Sequence, residues 1–145
     1  ARSAFARLKA TAPLSFLLCP KLNMAKRILI IEDDAALAHA LSEKLSGAGF
    51  EVSISLDGES GLKNLETFLP VLVLLDLVLP RKSGFEVLKA VRESAGFKNL
   101  PVLVLTNLES PYDVQRVFEL GISGYLVKAN YSLDEVVKKV EQIAA

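Results

Sequence analysis

Short apolar runs alternate with segments of helical spacing along residues 26–145, and this alternation repeats five times. The runs are rich in branched residues, as strands are, whereas the intervening segments carry an apolar residue every three or four positions, as one face of a helix does. The pattern predicts a parallel α/β sheet. The predicted strands are 27–32, 51–55, 71–76, 101–105 and 124–127, and the predicted helices are 35–47, 59–68, 84–95, 112–120 and 133–144.

Capping residues mark both ends of these helices. Hydroxyl and carboxylate side chains precede the first helical residue, where they accept orphan backbone N–H groups, and glycines follow the last turn, where a left-handed residue is needed. The predicted N-caps are Asp34, Asp57, Ser83 and Ser132, and the predicted left-handed glycines are Gly49, Gly96 and Gly121. The first, third and fourth strands are almost wholly apolar, which predicts central positions, while the second alternates as an edge strand does.

Composition limits the classes of protein that fit. A chain of 145 residues with 51% apolar and 23% charged residues suits one globular domain with one core. Equal numbers of basic and acidic residues, with no block of like charge, argue against a dedicated nucleic-acid binder. No apolar run approaches the roughly 20 residues that cross a bilayer. The single cysteine, Cys19, forms no disulfide within the chain, so we expect a reducing, cytoplasmic location.

Residues 1–23 differ from the rest of the chain. They carry four basic residues and no acid, include Pro13 and Pro20, and lack helical or strand periodicity. Their short apolar stretch resembles a targeting leader only weakly, because it is brief and no small-residue cleavage site follows. We therefore predict a disordered or loosely packed N-terminal extension at 1–23 and a single domain at 24–145, with Met24 as the native start.

Polar side chains stand where the predicted strands end. Glu32 and Asp33 end the first strand, Asp76 the third, Thr106 the fourth and Lys128 the fifth. Parallel strands bring their carboxyl ends to one edge of the sheet, which is where such folds bind ligands. Two carboxylates about 4 Å apart repel by roughly 4 kcal/mol at an effective dielectric near 20, so the cluster must take up protons or a cation. Oxygen ligands without histidine or cysteine favour Mg²⁺.

The sequence resembles the receiver domain of two-component response regulators over essentially all of residues 26–145. The resemblance lies in Ile28-Leu-Ile-Ile-Glu-Asp-Asp34, in Leu74-Leu-Asp-Leu-Val-Leu-Pro-Arg-Lys-Ser-Gly84, in Val104-Leu-Thr106 and in Gly124-Tyr-Leu-Val-Lys128. It implies a doubly wound, flavodoxin-like sheet of five parallel strands in the order 2-1-3-4-5, with helices on both faces. It also implies a signalling switch controlled by phosphorylation. Such a domain accepts a phosphoryl group and assists its own phosphorylation and dephosphorylation, but it is not an enzyme.

The resemblance assigns a role to each acid. Asp76 is implied as the phosphoacceptor, which takes a phosphoryl group from a sensor histidine kinase, a phosphotransfer protein or a small donor. Asp33 is implied as a direct ligand of Mg²⁺ and Glu32 as a ligand through water. Asp76 and the main-chain carbonyl of Val78 complete the implied protein ligands.

The resemblance also implies how the signal leaves the site. Thr106 and Lys128 would bond the phosphoryl oxygens, and the ring of Tyr125 would follow the movement of Thr106 as the aromatic switch. The output would pass to a downstream protein, or to a second copy on phosphorylation, through the fourth helix, fifth strand and fifth helix. No direct contact with nucleic acid and no membrane attachment are expected. Tyr112 and Tyr131 lie along this face with Tyr125.

Two positions depart from the family pattern, and two positions that vary within the family carry apolar residues. Asn107 stands where a small residue is usual, so its side chain either narrows the approach to Asp76 or adds a hydrogen-bonding group there. Ala129 replaces the proline that usually follows the lysine in a cis peptide, so we predict a trans or remodelled turn there. Val78 and Leu108 are apolar and cannot orient an attacking water, which predicts slow self-dephosphorylation.

Three other functions remain open. The chain can be the receiver part of a longer DNA-binding response regulator, or a degenerate interaction module that is not phosphorylated. The intact Asp33, Asp76, Thr106 and Lys128 argue against degeneracy. A phosphohydrolase with Asp76 as nucleophile would need a second acid two residues later, and Val78 stands there.

Overall fold

A computed structural model of the protein describes residues 25–145, so the predicted extension at 1–23 lies outside the described residues. The chain alternates strand and helix five times, as the sequence predicts. The strands are β1 (Arg27–Ile31), β2 (Glu51–Ser55), β3 (Leu72–Leu75), β4 (Val102–Thr106) and β5 (Gly124–Val127). The helices are α1 (Ala35–Gly47), α2 (Gly58–Phe68), α3 (Gly84–Glu93), α4 (Pro111–Leu120) and α5 (Leu133–Ala144).

The five strands form one parallel sheet in the order β2-β1-β3-β4-β5. The prediction of a doubly wound α/β sheet in this order is therefore confirmed. β1, β3 and β4 are central and buried along nearly their whole length, whereas β2 at one edge is largely half-buried. Apolar side chains cover both faces of a central strand because helices pack on each side.

Two apolar clusters fill the space between sheet and helices. On one face, α1 and α5 pack on the sheet through Ala38, Leu41 and Val140. On the other face, α2, α3 and α4 do so through Leu65, Leu88 and Val117. Alternate residues of each central strand enter opposite clusters, since successive side chains of a strand point to opposite faces.

The predicted N-caps of α1, α2, α3 and α5 each accept a hydrogen bond from the backbone of the first turn, and Ser83 and Ser132 form full capping boxes. The glycine prediction is right at Gly49 and Gly121, whose φ angles are 98° and 89°. It is wrong at Gly96, because α3 ends at Glu93 and Ser94 leaves the helix in an extended conformation. A further left-handed residue, Leu69, follows α2, where no glycine was predicted.

The chain after β5 is remodelled as predicted. No cis peptide bond occurs among residues 25–145, so the bond between Lys128 and Ala129 is trans. Lys128–Asn130 form a short 3₁₀ turn before α5.

Candidate functional site

Glu32 and Asp76 follow directly after β1 and β3, which are adjacent in the sheet. The backbone N–H of Glu32 donates to the carbonyl of Ser55 at 3.0 Å, and that of Asp76 donates to the carbonyl of Ile31 at 3.0 Å. The ladder thus continues past the last strand residue and holds both backbones in register. Both side chains are buried, with exposures of 3% and 5%. Two carboxylates are consequently taken out of water at one edge of the sheet, which requires compensation.

Lys128 supplies that compensation. Its Nζ lies 2.6 Å from Oε1 of Glu32 and 2.7 Å from Oδ2 of Asp76, and its side chain is largely buried. Main-chain groups satisfy the remaining oxygens. The N–H of Asp34 donates to Oε2 of Glu32 at 3.1 Å, and the N–H of Val78 donates to Oδ1 of Asp76 at 3.2 Å. The site is a hydrogen-bonded triad of two acids and one ammonium.

Burial and charge act in opposite directions on this triad. Burial raises the pKa of Glu32 to about 7, although the hydrogen bonds from Lys128 and from the Asp34 backbone lower it. Burial by itself lowers the pKa of Lys128, but the hydrogen bonds to Asp76 and Glu32 outweigh it, so that this pKa stands above its ordinary value. The lysine is therefore charged at neutral pH, while Glu32 can exchange a proton there.

Asp33 completes an acidic cluster that fits a hard divalent cation. One carboxylate oxygen each from Glu32, Asp33 and Asp76 lie within 4.8 Å of one another, and Asp33 faces solvent. A set of carboxylate oxygens with an open side suits Mg²⁺, which keeps several of its waters and a phosphoryl oxygen as ligands. Val78, whose carbonyl the resemblance implies as a further ligand, follows the third acid by two residues and is 58% exposed.

Thr106 and Tyr125 are connected through the loop that joins β4 to α4. Thr106 is fully buried, and its Oγ1 accepts a hydrogen bond from the N–H of Leu108 at 3.4 Å. The hydroxyl of Tyr125 donates to the carbonyl of the same Leu108. Burial raises the pKa of Tyr125, so the phenol stays protonated as a donor. The ring of Tyr125 also stacks on Phe118 of α4, with centroids 6.4 Å apart.

A close approach of backbones fixes the segment after Asp76. A Cβ atom added at Gly84 would lie 2.3 Å from the carbonyl oxygen of Asp76, and the N–H of Gly84 donates to the carbonyl of Leu77 at 2.9 Å. Glycine is required because no side-chain atom fits there. The first turn of α3 therefore rests directly on the backbone of the acid.

The structure brings together Glu32, Asp33, Asp76 and Lys128, as the strand ends predict. Two contacts were missed by sequence reasoning. Lys128 bonds Glu32 as well as Asp76. Asp57 caps α2, and its Oδ2 also lies 3.9 Å from Nε of Arg81, a residue with a φ angle of +68°. The strand ends place Lys128 near both acids without fixing which of them it bonds, and no feature of the sequence pairs Asp57 with Arg81.

Exposed aromatic residues lie on α4 and just after β5. Tyr112 is 72% exposed, Phe118 54% and Tyr131 41%, while Tyr125 between them is half-buried. Exposed tyrosine rings are suited to contact with another protein. Across residues 25–145, no helix combines the length and the apolar character that crossing a membrane requires.

Comparison with known proteins gives a consistent result. Residues 28–141 match the sequence model of the response regulator receiver domain family. Over 114 residues the chain is 38% identical to the transcriptional regulatory protein DltR of Streptococcus agalactiae, which covers 79% of this chain and 50% of DltR. Over 120 residues it is 35% identical to the alkaline phosphatase synthesis transcriptional regulatory protein PhoP of Bacillus subtilis, covering 83% and 49%. The chain thus spans about half the length of these relatives.

Solved structures show the same fold. The chemotaxis response regulator CheY4 of Vibrio cholerae superposes with a TM-score of 0.76 at 28% identity, covering 83% of this chain and 99% of that protein. A putative response regulator from Chloroflexus aurantiacus superposes with a TM-score of 0.76 at 33% identity, covering 83% and 98%.

Proposed function

Because this chain belongs to the response regulator receiver domain family, we propose that it is a signalling switch that accepts a phosphoryl group on Asp76. The donor is a sensor histidine kinase or a phosphotransfer protein, and acetyl phosphate can replace it in vitro. The switch assists its own phosphorylation and dephosphorylation but does not turn over a substrate. A cytoplasmic location accords with such a donor.

One observation carries this proposal: Asp76 is a buried carboxylate with each oxygen held by a separate donor. Lys128 bonds Oδ2 at 2.7 Å and the N–H of Val78 bonds Oδ1 at 3.2 Å. A carboxylate oriented in this way can attack phosphorus in line, and positioning accounts for most of the catalysis of phosphoryl transfer. As the new bond from oxygen to phosphorus forms, the phosphorus–nitrogen bond of the phosphohistidine breaks, and its electron pair stays on the imidazole.

Neighbouring residues support the transfer. Mg²⁺ would be held by Asp33, by Asp76, by the carbonyl of Val78 and, through water, by Glu32. When bound, the ion supplies positive charge to the phosphoryl oxygens. Lys128 adds a second positive charge. It would exchange its contact with the Asp76 carboxylate for one with a phosphoryl oxygen, while remaining close to Glu32.

Thr106 and Tyr125 would carry the change outward. The aspartyl phosphate bears about two negative charges and would attract the Thr106 hydroxyl. Because Thr106 and Tyr125 both bond Leu108, a shift of Thr106 alters the support of the tyrosine ring. The face made by α4, β5 and α5 would then bind a downstream protein or a second copy of this chain. The exposed rings of Tyr112 and Tyr131 are suited to act as anchors there.

Two alternative functions can be tested alongside this proposal: a receiver part of a longer regulator and a degenerate module that is not phosphorylated. The two relatives above are named as transcriptional regulators and are about twice the matched length, whereas CheY4 of Vibrio cholerae is matched over 99% of its length, so a receiver part of a longer DNA-binding regulator and a stand-alone switch each have a relative of that kind. Native mass and sequencing of the encoding gene separate these two. A degenerate module would keep the fold but take up no phosphoryl group.

Intact mass spectrometry after incubation with Mg²⁺ and acetyl phosphate tests the proposal. We expect the mass of one phosphoryl group on the wild-type protein and on Asp34→Asn, a control at an exposed helix cap, and none on Asp76→Asn. Release of many phosphates per chain would support a phosphohydrolase instead. No modification by either acetyl phosphate or phosphorylated histidine kinases would support the degenerate module.

A further inference from the structure

Helix α4 is attached to α3 at two points by arginine side chains. At its C-terminal end, Arg92 of α3 donates to the carbonyl of Leu120 at 3.2 Å and to that of Gly121 at 2.8 and 3.0 Å. Its remaining nitrogen donates to the carbonyls of Phe97 and Lys98. At the middle of α4, the guanidinium carbon of Arg116 lies 4.3 Å from the centroid of the Phe85 ring.

The two attachments differ in strength. Arg92 makes three hydrogen bonds to main-chain carbonyls at the negative end of the α4 dipole and two to carbonyls of the segment after α3, in a partly desolvated setting that lowers its pKa. Arg116 is exposed and, among the described residues, forms no ion pair, so its contact with Phe85 is the weaker one. The C-terminal end of α4 is consequently the firmer of the two.

The N-terminal end of α4 is held least. Ser110 makes no side-chain capping hydrogen bond, and the preceding loop is attached through Leu108 to Thr106 and Tyr125. A displacement of that loop would swing α4 about the end fixed by Arg92. The contact between Arg116 and Phe85 lies between the fixed end and the loose end, so it must give way for the helix to swing.

Phe85 is also tied to the acid site. It is the second residue of α3 and follows Gly84, which rests on the backbone of Asp76. Its ring packs on the apolar cluster that includes Val104 and Val117. Phe85 is therefore a fixed surface, next to the site, against which Arg116 holds α4.

We infer that the contact between Arg116 and Phe85 is a restraint that favours the described position of α4 and opposes its displacement by phosphorylation. This inference rests on the proposed function. Breaking the contact lowers the cost of the displaced conformation, and any ligand of Asp76 that favours that conformation then binds more tightly, because coupling between two sites is reciprocal.

Beryllofluoride, a mimic of the phosphoryl group, provides the test. Its affinity in the presence of Mg²⁺ is followed by tyrosine fluorescence, which no tryptophan obscures in this chain. We expect Arg116→Met and Phe85→Leu each to tighten binding about twofold to fivefold, the range of an exposed cation–π contact. The double variant should bind no tighter than either single variant. Lys89→Met, an exposed lysine of α3, is the matched control and should leave the affinity unchanged.

Several outcomes overturn the inference. Equal affinity in wild type and both variants, or effects that add in the double variant, would show that the contact exerts no restraint. Hydrogen exchange provides a second measure: Arg116→Met should speed exchange of the Val114 amide, which donates to the Ser110 carbonyl at the start of α4, and Arg92→Lys should speed exchange in the last turn. The same rise at both ends in each variant would contradict the unequal attachment. A wild-type protein that binds no beryllofluoride would overturn the proposed function itself.

Discussion

The ammonium of Lys128 lies 2.6 Å from the carboxylate of Glu32, although 96 positions separate them in the chain. This ion pair stabilises two buried acids at once, because the same nitrogen also bonds Asp76. The charge balance of the site thus depends on one side chain, which stands directly after the edge strand β5.

Replacing Lys128 by methionine should reduce the free energy of unfolding by about 3 kcal/mol in the absence of Mg²⁺, since a buried ion pair that loses one partner leaves its charges uncompensated. Added Mg²⁺ should restore part of this loss by supplying positive charge to the same acids. Urea unfolding with and without Mg²⁺ measures both effects. Lys138→Met, at an exposed lysine of α5, is the control. A Lys128→Met protein as stable as wild type would contradict this account.

Glu32 should give stability a dependence on pH. Its pKa rises from 4.5 to about 7 on folding, chiefly through burial, so the folded state keeps a proton that the unfolded chain has released. That contribution is complete below pH 4.5 and is lost as the pH rises through about 7. Glu32→Gln should therefore flatten the pH dependence of urea unfolding in a Mg²⁺-free buffer. Glu43→Gln, on the exposed side of α1, should retain the wild-type slope. Identical slopes in wild type and Glu32→Gln would exclude the effect.

The left-handed backbone at Leu69 should be a removable source of strain. Its φ angle is 52° and its side chain is 53% exposed. Leu69→Gly should raise the free energy of unfolding by about 0.5–1 kcal/mol, because the steric cost of the left-handed region outweighs the extra entropy of glycine in the unfolded chain. Gly49→Ala, at a φ angle of 98°, should lower it by about 1 kcal/mol. Thermal and urea unfolding measure both effects. If Leu69→Gly and Gly49→Ala changed the free energy of unfolding in the same direction, this explanation would be refuted.

Adding a methyl group at Gly84 should disturb the acid site itself. The new Cβ would lie 2.3 Å from the carbonyl of Asp76. We expect a loss of about 1–3 kcal/mol of stability and slower phosphorylation of Asp76 by acetyl phosphate. Gly96→Ala meets nothing within 4 Å and has no positive φ, so it should change stability by less than about 0.5 kcal/mol. A Gly84→Ala protein with wild-type phosphorylation kinetics would show that the approach is not a constraint.

Exchanging Val78 for asparagine should speed the loss of the phosphoryl group. Val78 is 58% exposed beside Asp76 and offers no group to orient water. An amide there can orient the attacking water, which we expect to accelerate hydrolysis on the order of tenfold, less than a proton-transferring group provides. Phosphorylated protein, freed of donor, is followed by intact mass. Val71→Asn, at an exposed valine remote from the acids, should decay as wild type does. Equal decay of all three proteins would contradict the prediction.

Much of the fold and the site follows from the sequence because both depend on strand ends. The carboxyl ends of parallel strands share one edge, so Glu32, Asp76 and Lys128 could be placed together before any coordinates. Which acids Lys128 bonds could not be predicted, because one ammonium among several neighbouring carboxylates can form several different ion pairs.

Contacts made by the main chain were harder still to foresee. Within the described part of the chain, Arg92 bonds carbonyl groups alone, and no acidic residue in the sequence marks the place where its guanidinium lies. Leu69 was missed because it ends α2 in the left-handed conformation, with its N–H bonded to the carbonyl of Leu65, although its residue type disfavours that conformation. The prediction at Gly96 failed for the complementary reason: a glycine permits the left-handed conformation without requiring it.

The alternation of side chains along β3 limits how the length of this strand can change during evolution. Deleting one of its four residues would turn Asp76 to the opposite side of the sheet, away from Glu32, because side chains alternate along a strand. Substitutions within the strand preserve that geometry, but length changes do not. Insertions and deletions among descendants of this protein should consequently spare the frame of the central strands.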